Sequence, residues 1–264
     1  MRIIQTIEIR EITTIEELHQ LQQVERAVWE MPSIPIHQTF TAMKNGGIIL
    51  GAYSGEKMVG FLYSFAGFDS NSVYLCSHML GILPEYRKAD LGVKMKLKQA
   101  QLAKDKGYDM ITWTFDPLES KNAYLNLHKL GAIGAVYRTN HYGDLNDKLN
   151  QGLPTDRILI KWDLNKSTKK RENHSLDMGK VLLTADKFGK PIASDVTGTL
   201  SSDKWFVAIP RDIQTMKQTD FELAKEWRYQ TRKIFKQLFA VGYQATDLLL
   251  DTNENFISFY VFTK

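Results

Sequence analysis

Alternating apolar and charged positions from Arg2 to Ile12 predict a first strand. Thr14-Ile15-Glu16-Glu17 then forms a capping box ahead of a helix to about Glu30, with Ile15, Leu18, Leu21, Val24 and Val28 on one face. Pro32 and Pro35 end it, and a shorter helix is expected over Ile36 to Lys44. Asn45-Gly46-Gly47 leads into a strand at Ile48 to Tyr53, Ser54 to Lys57 is a hairpin turn, and Met58 to Phe65 and Val73 to Leu83 complete three consecutive antiparallel strands. Over Val93 to Lys98 the pattern alternates like a strand. The helix formers that follow, with Ala100, Leu102 and Ala103 continuing stripes from Val93, Leu97 and Met95, and Gly107 as a stop, decide for a helix over Leu91 to Lys106.

Met110 to Phe115 reads as a strand broken by Asp116-Pro117, and Ser120 as the cap of a helix with Ala123, Leu127 and Leu130 on one face and Gly131 at its end. Val136 to Tyr142 and Arg157 to Trp162 are the closing strands. The polar, aperiodic residues 164–179 read as a linker between a domain over 1–163 and a smaller α/β subdomain over 180–264. Strands are expected there at Val181 to Thr184, Trp205 to Ile209 and Phe256 to Thr263. Between the last two lies a long helix opened by Thr219-Asp220-Phe221-Glu222, with Ala224, Trp227, Thr231, Ile234, Phe235 and Leu238 as its apolar stripe and Gly242 as its stop. The fold class expected is a mixed α/β sheet protein.

With 264 residues, 34 Lys and Arg against 30 Asp and Glu, and a formal charge of +4, the chain has ordinary globular composition. No apolar run is long enough for a bilayer, which points to a cytoplasmic protein with no membrane partner. The run Lys166 to Arg171 is read as a solvated linker, so no nucleic acid is expected as partner. Cys76 is the single cysteine, and no histidines stand at helical i,i+4 spacing, so no metal is expected.

The chemistry is carried by YLCSHMLGILPEYRKADLG, Tyr74 to Gly92. It runs strand, proline stop, polar turn, helix N-terminus. Unpaired N–H groups and the positive end of the dipole at a helix start favour an anion such as pyrophosphate. Neither GxxxxGK[ST] nor GxGxxG occurs here, so a nucleoside triphosphatase and a nicotinamide enzyme are both disfavoured.

Pro84-Glu85-Tyr86-Arg87, two residues, then Asp90-Leu91-Gly92 resembles the PEYRxxGxG signature of the GNAT superfamily of acyl-CoA-dependent N-acyltransferases, with Asp90 where glycine is usual. The element order to Asp163 is similar to the GNAT fold. HMLGILPEYR, TWTFDPLESKNA, NLHKLGA, HYGD and GLPTDR, with IPRDIQ and AKEWRYQTR beyond the linker, look like a subgroup of uncharacterised predicted acetyltransferases that share the C-terminal extension. In the family's NxxAxxLYxKxGF helix a tyrosine protonates the coenzyme thiolate; here Leu127 stands at that position, Ser120 at the asparagine and Ala132 at the phenylalanine.

What the resemblance implies is a coenzyme cradle: backbone at Ile82 and Leu83 for the pantetheine arm, and Arg87, Lys88, Ala89, Asp90, Leu91, Gly92 and Val93 around pyrophosphate. His78 is the candidate base; strand alternation puts it on one face with Leu80 and Ile82, about 13 Å behind Ile82. Tyr124, three residues before Leu127, is the candidate acid, Asp116 a candidate for the substrate ammonium, and Asn122 and Asn126 candidates for bonding the pantetheine or the substrate. Each also has a purely structural reading as a packing, turn-forming or solvent-facing residue. The expected activity is transfer of an acyl group, acetyl by default, from acyl-CoA to a small amine such as an amino acid. Succinyl transfer, a catalytically degenerate coenzyme-binding protein and a homodimer stay open.

Overall fold

The computed structural model describes residues 6–69, 71–87, 90–143, 152–166, 174–194, 200–250 and 256–264. Lys88 and Ala89 of the expected cradle lie outside these residues. Two compact units divide the chain, one of Met1–Trp113 with Asp163–Ser167, the other of Thr114–Trp162 with Thr168–Lys264.

The first unit orders its strands β1 (Ile7–Glu11), β2 (Ile49–Ser54), β3 (Lys57–Asp69), β4 (Ser72–Ile82) and β5 (Met110–Phe115), whose last two residues enter the second unit. The first three pairings are antiparallel and β4–β5 is parallel. Helix α1 (Ile15–Trp29) begins at the expected capping box: Thr14 Oγ1 accepts from the Glu17 N–H at 3.2 Å, and the Glu17 carboxylate accepts from the Thr14 N–H at 3.1 Å. Leu18, Leu21 and Val24 are its buried stripe. Helix α2 (Ile36–Lys44) follows, and α3 (Leu91–Asp105) comes after a 3₁₀ turn at Pro84–Tyr86.

The buried face of α3 departs from the apolar pattern. Leu91, Met95, Lys96, Gln99 and Ala103 point inward, while Leu97 is 52% exposed. A lysine and a glutamine therefore occupy core positions that counting apolar residues assigns elsewhere.

In the second unit the strand order is β7 (Arg157–Asp163), β6 (Ile133–Arg138), β11 (Gln244–Leu250), β12 (Ile257–Thr263), β10 (Lys204–Pro210), β8 (Val181–Ala185) and β9 (Pro191–Ala193). Helix α4 (Ser120–Ala123) continues as a π-helical turn over Tyr124–Lys129. Ser120 does not cap it; its hydroxyl bonds the Ser258 hydroxyl at 2.9 Å, and Glu119 holds the N-cap position. Helices α5 (Ile213–Thr219) and α6 (Phe221–Ala240) complete the unit, and α6 buries the whole stripe from Ala224 to Leu238. Its Phe235 meets Tyr137, Tyr260 and Phe262 edge-on.

These units do not separate at residues 164–179. The reason lies in β6, which pairs with β11 at Ala245↔Gly134. A Cβ on Gly134 would fall 2.9 Å from that of Ala245, so glycine permits the approach. Through that pairing the last strands of the expected first domain and the C-terminal strands share one sheet.

Candidate functional site

Strand β4 pairs with β5 at Leu75↔Ile111 and Cys76↔Thr112, and among the described residues the ladder goes no further. From Ser77 to Ile82, β4 pairs with β3 alone. Leu83 donates its N–H to Val59 O at 2.9 Å, which makes that pair a hydrogen-bonded one. By the alternation of an antiparallel ladder, the backbone groups of Ile82 and Leu80 point away from β3, toward the open edge. Arg87 Nε donates to Ile82 O at 2.9 Å, bracing the end of this edge. The backbone groups of Leu83 both have partners within the protein, its N–H on Val59 O and its carbonyl on Tyr86 N–H at 2.9 Å.

Beyond the 3₁₀ turn, Asp90 is the N-cap of α3 with φ +57°, in the left-handed region where the signature carries glycine. Its side chain makes no cap bond, and its carbonyl accepts from Lys94 N–H at 3.0 Å. The N–H groups of Leu91, Gly92 and Val93 belong to the first turn, which has no intrahelical acceptors, so this turn can receive an anion.

A β-bulge interrupts β4 inside the open edge. Tyr63 opposes Met79 and Ser64 opposes Ser77, leaving His78 as the extra residue. Its ring lies 6.0 Å from Tyr63 and 5.8 Å from Phe65. Those two side chains occupy the face opposite Leu80 and Ile82, so the bulge overturns the expected placement of His78 on the same face as Leu80 and Ile82. The imidazole is exposed at the sheet surface, and desolvation by its surroundings holds its pKa below the ordinary value.

On the other face Ser77 meets α3. Lys96 Nζ donates to Ser77 Oγ at 2.8 Å, Gln99 Nε2 donates to the same oxygen at 3.0 Å, and Nζ stands 3.7 Å from the centre of the Trp113 ring. Lys96 is 3% exposed, and burial pushes its ammonium down to about 7. Desolvation raises the pKa of the neighbouring Cys76 thiol. Sequence reasoning missed Lys96. Its signal was a lysine at positions i+5 from Leu91 and i+1 from Met95, on the inward stripe.

The remaining candidates lie in the second unit. Asp116 is committed: its carboxylate accepts from Leu118 N–H at 2.8 Å and from Arg228 Nη2 at 2.5 Å, with Arg157 Nη1 at 3.7 Å. A buried guanidinium takes the place of the expected substrate ammonium. Asn122 is exposed and Asn126 is buried, so the two do not share a surface. Leu127 is 2% exposed and packs in the core. The Tyr124 ring stacks on His128 at 4.4 Å, and His128 Nδ1 bonds Asp247 Oδ1 at 2.9 Å.

No protein-family model matches the chain, and no curated protein matches it. Among solved structures, the ribosomal-protein-S18-alanine N-acetyltransferase from Escherichia coli is similar over 65% of this chain and 100% of that one, at 15% identity and a TM-score of 0.50. The smu.2055 protein from Streptococcus mutans UA159 is similar over 60% and 99%, at 17% identity and a TM-score of 0.50. About two thirds of the chain therefore shares the mixed α/β fold of these structures, and the rest extends beyond it.

Proposed function

We propose that the protein is an acyl-CoA-dependent N-acyltransferase that acts by direct transfer on a small amine, with an amino acid as the favoured acceptor class and acetyl as the default acyl group. One observation carries this reading. The open edge of β4 from Ser77 to Ile82 runs, through a short turn, into the anion-ready start of α3 at Leu91. A thioester with a peptide-like arm and a pyrophosphate needs both features in this order: amide pairing along an edge strand, then backbone N–H groups at a helix start.

In this reading Leu91, Gly92 and Val93 hold the pyrophosphate, and Ile82 and Leu80 bond the pantetheine amides. His78 takes the proton from the acceptor ammonium. Desolvation favours its neutral form, which is the form a base needs near neutral pH. Tyr124, its ring stacked on His128 in the second unit, has no role in this reading.

A second reading, coenzyme binding without turnover, is favoured by Leu127, a buried apolar residue at the position of the family's acid tyrosine. Calorimetric titration with acetyl-CoA and succinyl-CoA, followed by an amine screen with whichever binds, separates the possibilities. Binding with turnover supports the enzyme, and binding without turnover across amino acids and polyamines supports the second reading. No binding of either coenzyme overturns both. An unchanged pH profile of kcat/KM in His78→Gln would remove His78 as the base.

A further inference from the structure

Lys96 is a buried ammonium whose hydrogen-bond and ring partners are neutral: Ser77 on β4, Gln99 on its own helix and Trp113 on β5. Cys76 is the one titratable group that acts on it, and burial holds that thiol protonated. A lysine so enclosed carries a desolvation cost that a methionine would avoid. Its position suggests what the cost maintains. Lys96 joins the helix that opens the cradle to the strand whose edge receives the arm, at the point where that edge closes. From Ile82 back to Ser77 is five residues, about 17 Å of strand. There the pairing of Cys76 with Thr112 shuts the edge. In the acyltransferase reading an arm entering from the α3 end runs along this edge toward Ser77 and His78, with the His78 ring on one face of the strand and the Lys96–Ser77 pair on the other.

We propose that Lys96, acting through the Ser77 hydroxyl, supplies the proton taken up by the departing coenzyme thiolate, the task for which Leu127 leaves no tyrosine. This rests on the acyltransferase reading. A hydroxyl has two lone pairs and one hydrogen. With the Gln99 amide oriented to donate, Lys96 and Gln99 occupy both lone pairs, and the Ser77 hydrogen is directed away from them. In the step itself His78 has taken one proton from the acceptor ammonium, the neutral amine nitrogen has bonded to the thioester carbon, and the second proton that this leaves on nitrogen passes to solvent. The C–S bond then breaks with its electron pair on sulfur. Sulfur takes the hydrogen of Ser77, Ser77 takes one from the Lys96 ammonium, and neutral Lys96 recovers a proton from solvent as product leaves. An ammonium with a pKa of about 7 gives up its proton near neutrality far more readily than an exposed lysine.

The test compares acetyl-CoA with its oxygen-ester analogue, which keeps the cradle contacts but expels an alkoxide that needs the proton more. Lys96→Met keeps the side chain's length, and Ser77→Ala leaves Lys96 in place as an independent variant. Both should bind acetyl-CoA within about twofold of the native protein by calorimetry and keep its KM. Their kcat on acetyl-CoA should fall by about 10²-fold, the usual worth of a general acid. On the oxygen ester the loss should deepen by at least a further factor of about ten, because that reaction leans harder on the acid. Equal losses on both donors in both variants, or no loss in kcat, overturn the relay while leaving the acyltransferase reading intact. Failure of the native protein to turn over acetyl-CoA overturns that reading and the relay with it.

Discussion

Both units bury cations, and Lys96 in the first and Arg228 in the second are handled in opposite ways. Lys96 in the first unit has a hydroxyl, an amide and an indole face around it, and its pKa falls to about 7. Arg228 in the second unit, 1% exposed, has the Asp116 carboxylate at 2.5 Å and stays charged, its pKa held up by that partner against desolvation. Nearby, Asp156 takes two bonds from Arg232, at 2.8 Å each, and one from the Tyr137 hydroxyl, which lower its pKa although burial opposes them. A guanidinium cannot shed its proton, so burying it requires a counter-charge. A lysine can, and neutral surroundings make it a proton donor instead of a structural ion.

The largest effect should come from removing the counter-charge in the second unit. Asp116→Asn leaves Arg228 buried and unpaired and should cost about 3–5 kcal/mol in denaturant unfolding. A loss below about 1 kcal/mol would mean that the two cations are not handled differently after all. Tyr137→Phe removes a hydrogen bond to a buried carboxylate and should cost about 1.5–3 kcal/mol.

Lys96→Met should behave otherwise, changing stability near pH 7 by no more than about 1 kcal/mol, because burying a neutral chain of similar size is no worse. The pH dependence sharpens the contrast. The folded pKa of Lys96 lies near 7, below its ordinary 10.5, so between these values the unfolded chain binds the extra proton. Stability then rises with pH across that window, by about 1.4 kcal/mol per unit at most, and the gain is lost as pH falls from 10.5 to 7. Unfolding of the native protein and Lys96→Met between pH 7 and 10 should show this slope in the first and its absence in the second. The smallest effect belongs to Asp90→Gly, at the N-cap of the helix that carries Lys96. Relief of the left-handed φ of +57° should add up to about 1 kcal/mol, and in the acyltransferase reading loss of a carboxylate from the turn before α3 should tighten acetyl-CoA. Weaker binding would give Asp90 a supporting role.

Much of the fold was legible because local rules and packing agree. The capping box at Thr14, the hairpin between β2 and β3 and the α6 stripe all follow from residues close together in sequence. Strand β9, helix α5 and strand β11 were not read. The first is three residues long, the second follows Asp212 as a single short amphipathic piece, and β11 interrupts its alternation at a bulge between Ala245 and Asp247. The anion turn was legible as a pattern, because its proline, arginine and glycine act over adjacent residues. His78 was found but assigned to the wrong face, since a bulge adds one residue that period-two counting cannot detect.

The sequence by itself determined the order of elements as far as Asp163 and singled out the turn before α3 and the base candidate, all of which depend on residues within a turn or a strand of one another. Only the tertiary structure decided that Asp116 belongs to Arg228, 112 residues away, and that Lys96 faces inward to Ser77, 19 residues away. A charged side chain reads as surface until its partners are known, and those partners are brought to it by sheet register and helix rotation, which no local pattern encodes.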